Sequence, residues 1–279
     1  MAYEHWKIEE LPWDKLDPSK VDADLLKVIK AAALVEYNAE TYADYLSKVF
    51  KDDAEFCATA RGWALEEVQH GKVLGLWAEK IDPAWNLERA MAKFRAGYMP
   101  EHFVNGTESS VRGSRSGEMI ARCMVETGTS SYYSAIGAST DEPVLKEICA
   151  KVAGDEFRHY KTFYDTLNRY LAKENVGKVG RLKIALSRIA ESEDDELSYA
   201  FFAANANDND SYDRATWNRE YMKRAYSYYK KPQVERAVSM VFKACGFDPK
   251  GMAGKGASAA AWWLIRRNVK RANDIAKAA

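Results

Sequence analysis

The tetrapeptide Glu67-Val68-Gln69-His70 recurs as Glu156-Phe157-Arg158-His159, and each copy follows a lone acid, Glu36 or Glu126, at nearly the same distance. The intervals are 31 residues (67 − 36) and 30 residues (156 − 126). On a helix, a spacing of three places the Glu and His of each motif on one face. These faces are apolar. Ile29, Ala32, Ala33, Ala39 and Ala43 flank Glu36; Ala60, Trp63, Ala64, Leu74 and Trp77 flank Glu67 and His70; Val152, Ala153 and Phe163 flank Glu156 and His159. Charge on a core face is costly unless it is compensated, and four acids packed together would push one another's pKa upward. Two divalent cations would balance four carboxylates. One imidazole per ion with bridging carboxylates suits iron or manganese, which accept mixed oxygen and nitrogen donors. The candidate metal ligands are therefore Glu36, Glu67, His70, Glu126, Glu156 and His159.

Working outward, each acid and its Glu-x-x-His partner belong to a helical hairpin. Asp22 or Asp24 is a candidate cap for a first long helix to about Phe50. Asp52-Asp53 begins a second, to about Lys80, with Pro83 marking the exit. A short helix is expected near 86–96, and a polar loop from Asn105-Gly106-Thr107 to Gly113-Ser114. A third helix spans about 117–139. Asp141-Glu142-Pro143, a capping acid followed by proline, starts a fourth to about Lys173. The midpoints of the two acid intervals fall at Lys51–Asp52 and at Asp141, on these breaks. In each hairpin the acid and its Glu-x-x-His pair thus lie at the same height, roughly 22 Å from the turn at 1.5 Å per residue. Spacing leaves open whether the two turns share an end of the bundle.

Residues 1–20, with Pro12, Pro18, Trp6 and Trp13, read as an N-terminal arm packed by its aromatics; 21–173 as the bundle; and 174–279 as a C-terminal helical extension packed on it. The extension is expected to be helical over 180–206, 212–229, 232–245 and 258–277. A turn is expected at Asn205 to Asp210 and a glycine-rich loop from Gly246 to Gly256. Thr129 lies three residues after Glu126 on the same face. Its hydroxyl either positions an oxygen ligand or relays a proton, or bonds back to a helix carbonyl. Tyr132, Tyr133, Tyr160 and Tyr164 read as packing around the site.

Two segments carry a family resemblance. Arg61-Gly62-Trp63-Ala64-Leu65-Glu66-Glu67-Val68-Gln69-His70-Gly71 and Ile148-Cys149-Ala150-Lys151-Val152-Ala153-Gly154-Asp155-Glu156-Phe157-Arg158-His159 resemble the iron helices of soluble acyl-carrier-protein desaturases, over roughly residues 20–172. The resemblance implies an all-α fold: a ferritin-like four-helix bundle with a long connection between helices 2 and 3 and additional C-terminal helices. It also implies two iron ions per chain on the six residues named above, though manganese or a mixed manganese–iron pair suits the same donors. Thr129 would handle oxygen, and Asp155 would support the site beside Glu156. The implied partners are dioxygen, an external ferredoxin-like electron donor, an acyl-carrier protein and a second copy of the chain in a homodimer. The sequence departs from the family at Gln69, where arginine is usual, and at Tyr160, where an acid is usual.

Composition narrows the classes. Lys+Arg and Asp+Glu are equal, at 41 each, which gives no electrostatic footprint for nucleic acid. The longest apolar run, 257–265, is too short to cross a bilayer. The N-terminus lacks the basic and apolar segments of a secretory signal, so a cytoplasmic protein is expected. Cys57, Cys123, Cys149 and Cys245 show no Cys-x-x-Cys spacing, so neither a disulfide framework nor a cysteine-bound metal is expected. Arg266, Arg267, Lys270 and Arg271 follow Trp262-Trp263 and read either as a docking patch or as a solvated helix face. The functional expectation is a di-iron oxidoreductase that activates dioxygen to desaturate or hydroxylate a long apolar, fatty-acyl substrate. The alternative is a ferroxidase or peroxide scavenger of the ferritin or rubrerythrin kind. A helical binding module with a degenerate site comes third.

Overall fold

The computed structural model describes residues 5–98, 100, 108–192, 196–207 and 209–278, with backbone alone for 190–192 and 271–278. The chain is all-α, and no strand occurs among the described residues. Its helices are α1 (Ala23–Tyr37), α2 (Ala39–Val49), α3 (Ala54–Ile81), α4 (Leu87–Gly97), α5 (Arg115–Gly137), α6 (Pro143–Leu171), α7 (Lys178–Ser192), α8 (Glu196–Asn205), α9 (Arg214–Ala225), α10 (Lys231–Cys245) and α11 (Met252–Ala278).

The starts follow from capping side chains. Asp22 accepts from the backbone N–H groups of Asp24 and Leu25, Asp53 from Phe56, Asn86 from Arg89, and Ser114 from Gly117. Glu142 caps α6 at the backbone N–H groups of Val144 and Leu145, with Pro143 in the first turn. Each of these bonds satisfies donors that a helix start otherwise leaves open.

α1 and α2 pack on α3, and α5 packs on α6. The two hairpin turns lie at opposite ends. Trp77, late in α3, donates to Glu142 at the start of α6, whereas Asp53, at the start of α3, meets Tyr170 at the end of α6. α3 and α5 therefore run in the same direction, and the connection carrying α4 returns the chain along the bundle. The expected loop at Asn105–Thr107 lies outside the described residues, as does Asp208 of the Asn205–Asp210 turn. Two apolar clusters form the core. One gathers Leu34, Trp77, Ile136 and Leu145; the other gathers Leu46, Phe50, Phe56, Phe163 and Leu167. The motif residues separate them.

Two local expectations change. The first long helix breaks at Asn38 rather than running on to Phe50. At that point α1 and α3 approach closely: a Cβ on Gly71 would lie 2.5 Å from the backbone nitrogen of Tyr37. The helix expected over 180–206 is met by α7 and α8, with 193–195 between them outside the described residues. α11 starts at Met252, inside the expected loop, because Gly254 lets that first turn close on Pro249, whose carbonyl oxygen would sit 2.2 Å from an added Cβ. In the extension, α7 and α10 pack on α5, α8 on α1 and α4, and α11 on α10.

Candidate metal centre

The structure brings all six predicted ligands together. Ligand atoms of Glu36, Glu67, His70 and Glu156 lie within 4.8 Å of one another, as do those of Glu67, Glu126, Glu156 and His159. Glu67 and Glu156 belong to both groups, as residues bridging two ions would. α1 supplies Glu36, α3 Glu67 and His70, α5 Glu126, and α6 Glu156 and His159. All six are at most 7% exposed.

Both imidazoles turn Nδ1 inward. His70 Nδ1 lies 3.1 Å from Glu67 Oε2 and from Glu156 Oε1. His159 Nδ1 lies 3.1 Å from Glu67 Oε1 and 3.7 Å from Glu126 Oε2. Each Nε2 faces outward onto an acid of the opposite hairpin: His70 onto Asp155 Oδ2 at 3.0 Å, and His159 onto Glu66 Oε2 at 2.7 Å. An acid on the outer nitrogen fixes ring orientation and raises the basicity of the inner one. The arrangement is reciprocal, because each outer acid immediately precedes the Glu of its own motif. Asp155 was identified from the family resemblance. Glu66 was missed, since an adjacent acid pair looks like surface charge; its signal is the matching pair Asp155-Glu156 in the other motif.

Arg158 ties the outer acids together, pairing with both Glu66 and Asp155. The N-terminal arm closes the same side. Trp6 Nε1 donates to Asp155 Oδ2 at 2.8 Å, and its ring is stacked on His70 with centroids 6.3 Å apart. Gln69, the departure from the family, donates to the Trp6 carbonyl at 2.7 Å and holds the arm down. Tyr160, the other departure, donates to the carbonyl of Met240 and joins α6 to α10.

Thr129 bonds back to its own helix, the second of the readings its spacing left open, and also reaches the cluster. Its hydroxyl lies 3.3 Å from the Val125 carbonyl and donates to Glu156 Oε2 at 2.7 Å. Tyr133 does more than pack, donating to Glu36 Oε1 at 2.5 Å.

Burial pushes the Glu36 carboxyl well above the usual range, and the charges of Glu67 and Glu156 push it further. Burial also raises Glu126, more than the neighbouring His159 imidazole lowers it. At Glu67 and Glu156 burial acts in the same direction, but His159 and His70 outweigh it and hold both low. Burial opposes charge on the imidazoles too, yet their carboxylate partners raise both well above the ordinary histidine value. Asp155, buried but bonded to His70, Trp6 and Arg158, is held down at about 2.

The donor set fits a pair of divalent ions. Glu126 Oε1 and Oε2, Glu156 Oε1 and His159 Nδ1 are buried without a hydrogen-bond partner, a costly condition that cations among them would relieve. A third group, His5, Glu66 and Asp155, lies outside the imidazoles, where the Arg158 guanidinium already pairs with both acids.

An apolar cavity of about 220 Å³ reaches the cluster at Glu36 and Thr129, between α1, α5 and the C-terminal helices. The small residues Ala135, Gly137 and Ala138 do not line it. Instead Ala135 is fully buried, and a Cβ on Gly137 would meet Cys149 at 3.1 Å, so Gly137 serves the close packing of α5 on α6. The space comes from Gly128, Ala32 and Ala225. Away from the centre, Arg266 and Arg267 lie over the rings of Trp262 and Trp263 on α11; the Arg271 side chain is outside the described residues. No helix among the described residues is long and apolar enough to cross a membrane.

No protein-family model matches the chain, and no curated protein matches it. Its chemistry is therefore read from the cluster and the cavity beside it.

Proposed function

We propose that the protein is a non-haem di-iron oxidoreductase that uses dioxygen to desaturate or hydroxylate an apolar substrate, as its resemblance to the acyl-carrier-protein desaturases implies. One observation carries the reading: a buried cluster of four carboxylates and two imidazoles opens at Glu36 and Thr129 onto an apolar cavity. A metal store or scavenger needs no such cavity. An iron pair held by Glu36, Glu67, His70, Glu126, Glu156 and His159 would supply dioxygen reduction and the power to take hydrogen from an unactivated carbon.

The chain's own groups support that chemistry. Asp155 and Glu66 fix the imidazoles and Trp6 covers His70. The Thr129 hydroxyl, between Glu156 and the cavity, is placed to hold and pass a proton. The cavity walls keep water from the reacting carbon. Desaturation consumes one dioxygen, two external electrons and two protons and releases two waters; hydroxylation releases one water and leaves an oxygen in the product. A ferredoxin-like donor would supply the electrons. An acyl-carrier protein and a homodimeric assembly belong to the same reading.

The test is reconstitution of the full chain with ferrous iron and a chemical reductant, followed by dioxygen exposure with and without a panel of acyl thioesters and short-chain alcohols. Dioxygen uptake stimulated by an organic substrate, with a desaturated or hydroxylated product by mass spectrometry, is expected. Rapid iron oxidation indifferent to every organic compound, with peroxide turnover or mineral growth, would overturn the proposal in favour of a ferroxidase.

A further inference from the structure

The cavity beside Thr129 has a polar end. Glu196, at the start of α8, and Arg188, on α7, both line it. Glu196 is 7% exposed, and its Oε1 has no hydrogen-bond partner. A buried acceptor left unmade is costly, so a molecule filling the space gains by donating to it. The neighbouring Arg188 disfavours a cationic head, and an anionic head would face the Glu196 carboxyl itself. A neutral donor, a hydroxyl or an amide, suits both residues.

The body of the cavity is set by Gly128. An added Cβ there meets nothing within 4 Å, and glycine inside a helix costs stability relative to alanine. Its missing side chain leaves the wall open next to Thr129. Along α5 the lining runs from Met124 to Tyr133, a rise of nine positions (133 − 124), or about 13.5 Å of helix. A cavity of 150 Å³ holds benzene, with six non-hydrogen atoms, so 220 Å³ holds about nine. A long fatty-acyl chain has roughly twice that number.

We infer that this cavity takes a compact neutral amphiphile of about nine non-hydrogen atoms, with its hydroxyl or amide head on Glu196 and its apolar body along Gly128. This names the substrate class of the proposed oxidation and rests on that reading.

Calorimetric titration of the metal-loaded full chain tests it with 1-octanol and heptyl methyl ether, which have equal size but differ in donating a hydrogen bond, and with octanoate and octylamine. Octanol is expected to bind one per chain and at least tenfold tighter than the other three. Gly128→Phe should weaken octanol at least tenfold while metal content and circular dichroism stay unchanged. Glu196→Leu should abolish the preference for octanol over the ether. Equal binding of the ether, of octanoate or of octylamine, or full octanol affinity in Gly128→Phe, would overturn the assignment. Dioxygen uptake separates the two claims. An octanol complex that consumes no dioxygen counts against the oxidation and leaves the cavity assignment standing. Substrate-driven uptake without octanol binding sinks the cavity assignment alone.

Discussion

Replacing Glu67 with alanine is expected to empty both metal positions. Glu67 and Glu156 are the two residues common to both ligand groups, whereas Glu36 and Glu126 each serve one. Losing a bridge removes a carboxylate from each ion and leaves His70 and His159 without the partner their Nδ1 atoms share at 3.1 Å. Metal bound after reconstitution should fall from roughly two ions per chain to below about 0.2 in Glu67→Ala and in Glu156→Ala. Glu36→Ala and Glu126→Ala should each retain about one ion, weakly held, and lose substrate oxidation. Elemental analysis of gel-filtered protein reads this directly, and circular dichroism verifies that the variants remain helical. A full complement in Glu67→Ala would remove the bridging role.

The second large effect is on stability. Glu142 is fully buried and accepts four hydrogen bonds: from Val144 and Leu145 as the cap of α6, from the backbone of Asp17 in the arm, and from Trp77 Nε1 at 2.8 Å. Alanine there uncaps a long helix and orphans an indole donor on a residue that is itself fully buried. A lost cap costs about 1 kcal/mol and an unsatisfied buried donor about 1–3 kcal/mol more. Glu142→Ala should therefore destabilise the protein by about 3 kcal/mol and lower its melting temperature by roughly 5–10 °C. In a Trp77→Phe background, which lacks the donor, the same substitution should cost less. An unchanged melting temperature for Glu142→Ala would show that the carboxyl bears no such burden.

Glu142 also shows what a sequence conveys. Its capping role is local and was legible from Asp141-Glu142-Pro143; its reach to Trp77 and Asp17 is tertiary and was not. The same division runs through the centre. The six candidate ligands were legible because the period of the helix and the matched intervals bring them to one face and one height within each hairpin, and Thr129 followed from the same period. Glu66 was not, because its role is defined by His159 on the other hairpin. Trp6 lies in an arm without periodicity, so nothing in its neighbours announces its bond to Asp155. The break at Asn38 was hidden for a similar reason, since it occurs where α1 approaches Gly71 and α1 itself carries no proline or glycine. The cavity is likewise tertiary: the small residue Gly137 admits a neighbouring helix, whereas those at 32, 128 and 225 leave space.

The most direct test of the central claim is anomalous diffraction from crystals of the full chain loaded with manganous or ferrous ions. Two peaks about 3.5–4 Å apart are expected, one at Nδ1 of His70 and the other at Nδ1 of His159, with Glu67 and Glu156 touching both. A single peak, no peak between these residues, or ions bound only elsewhere would contradict the two-metal centre.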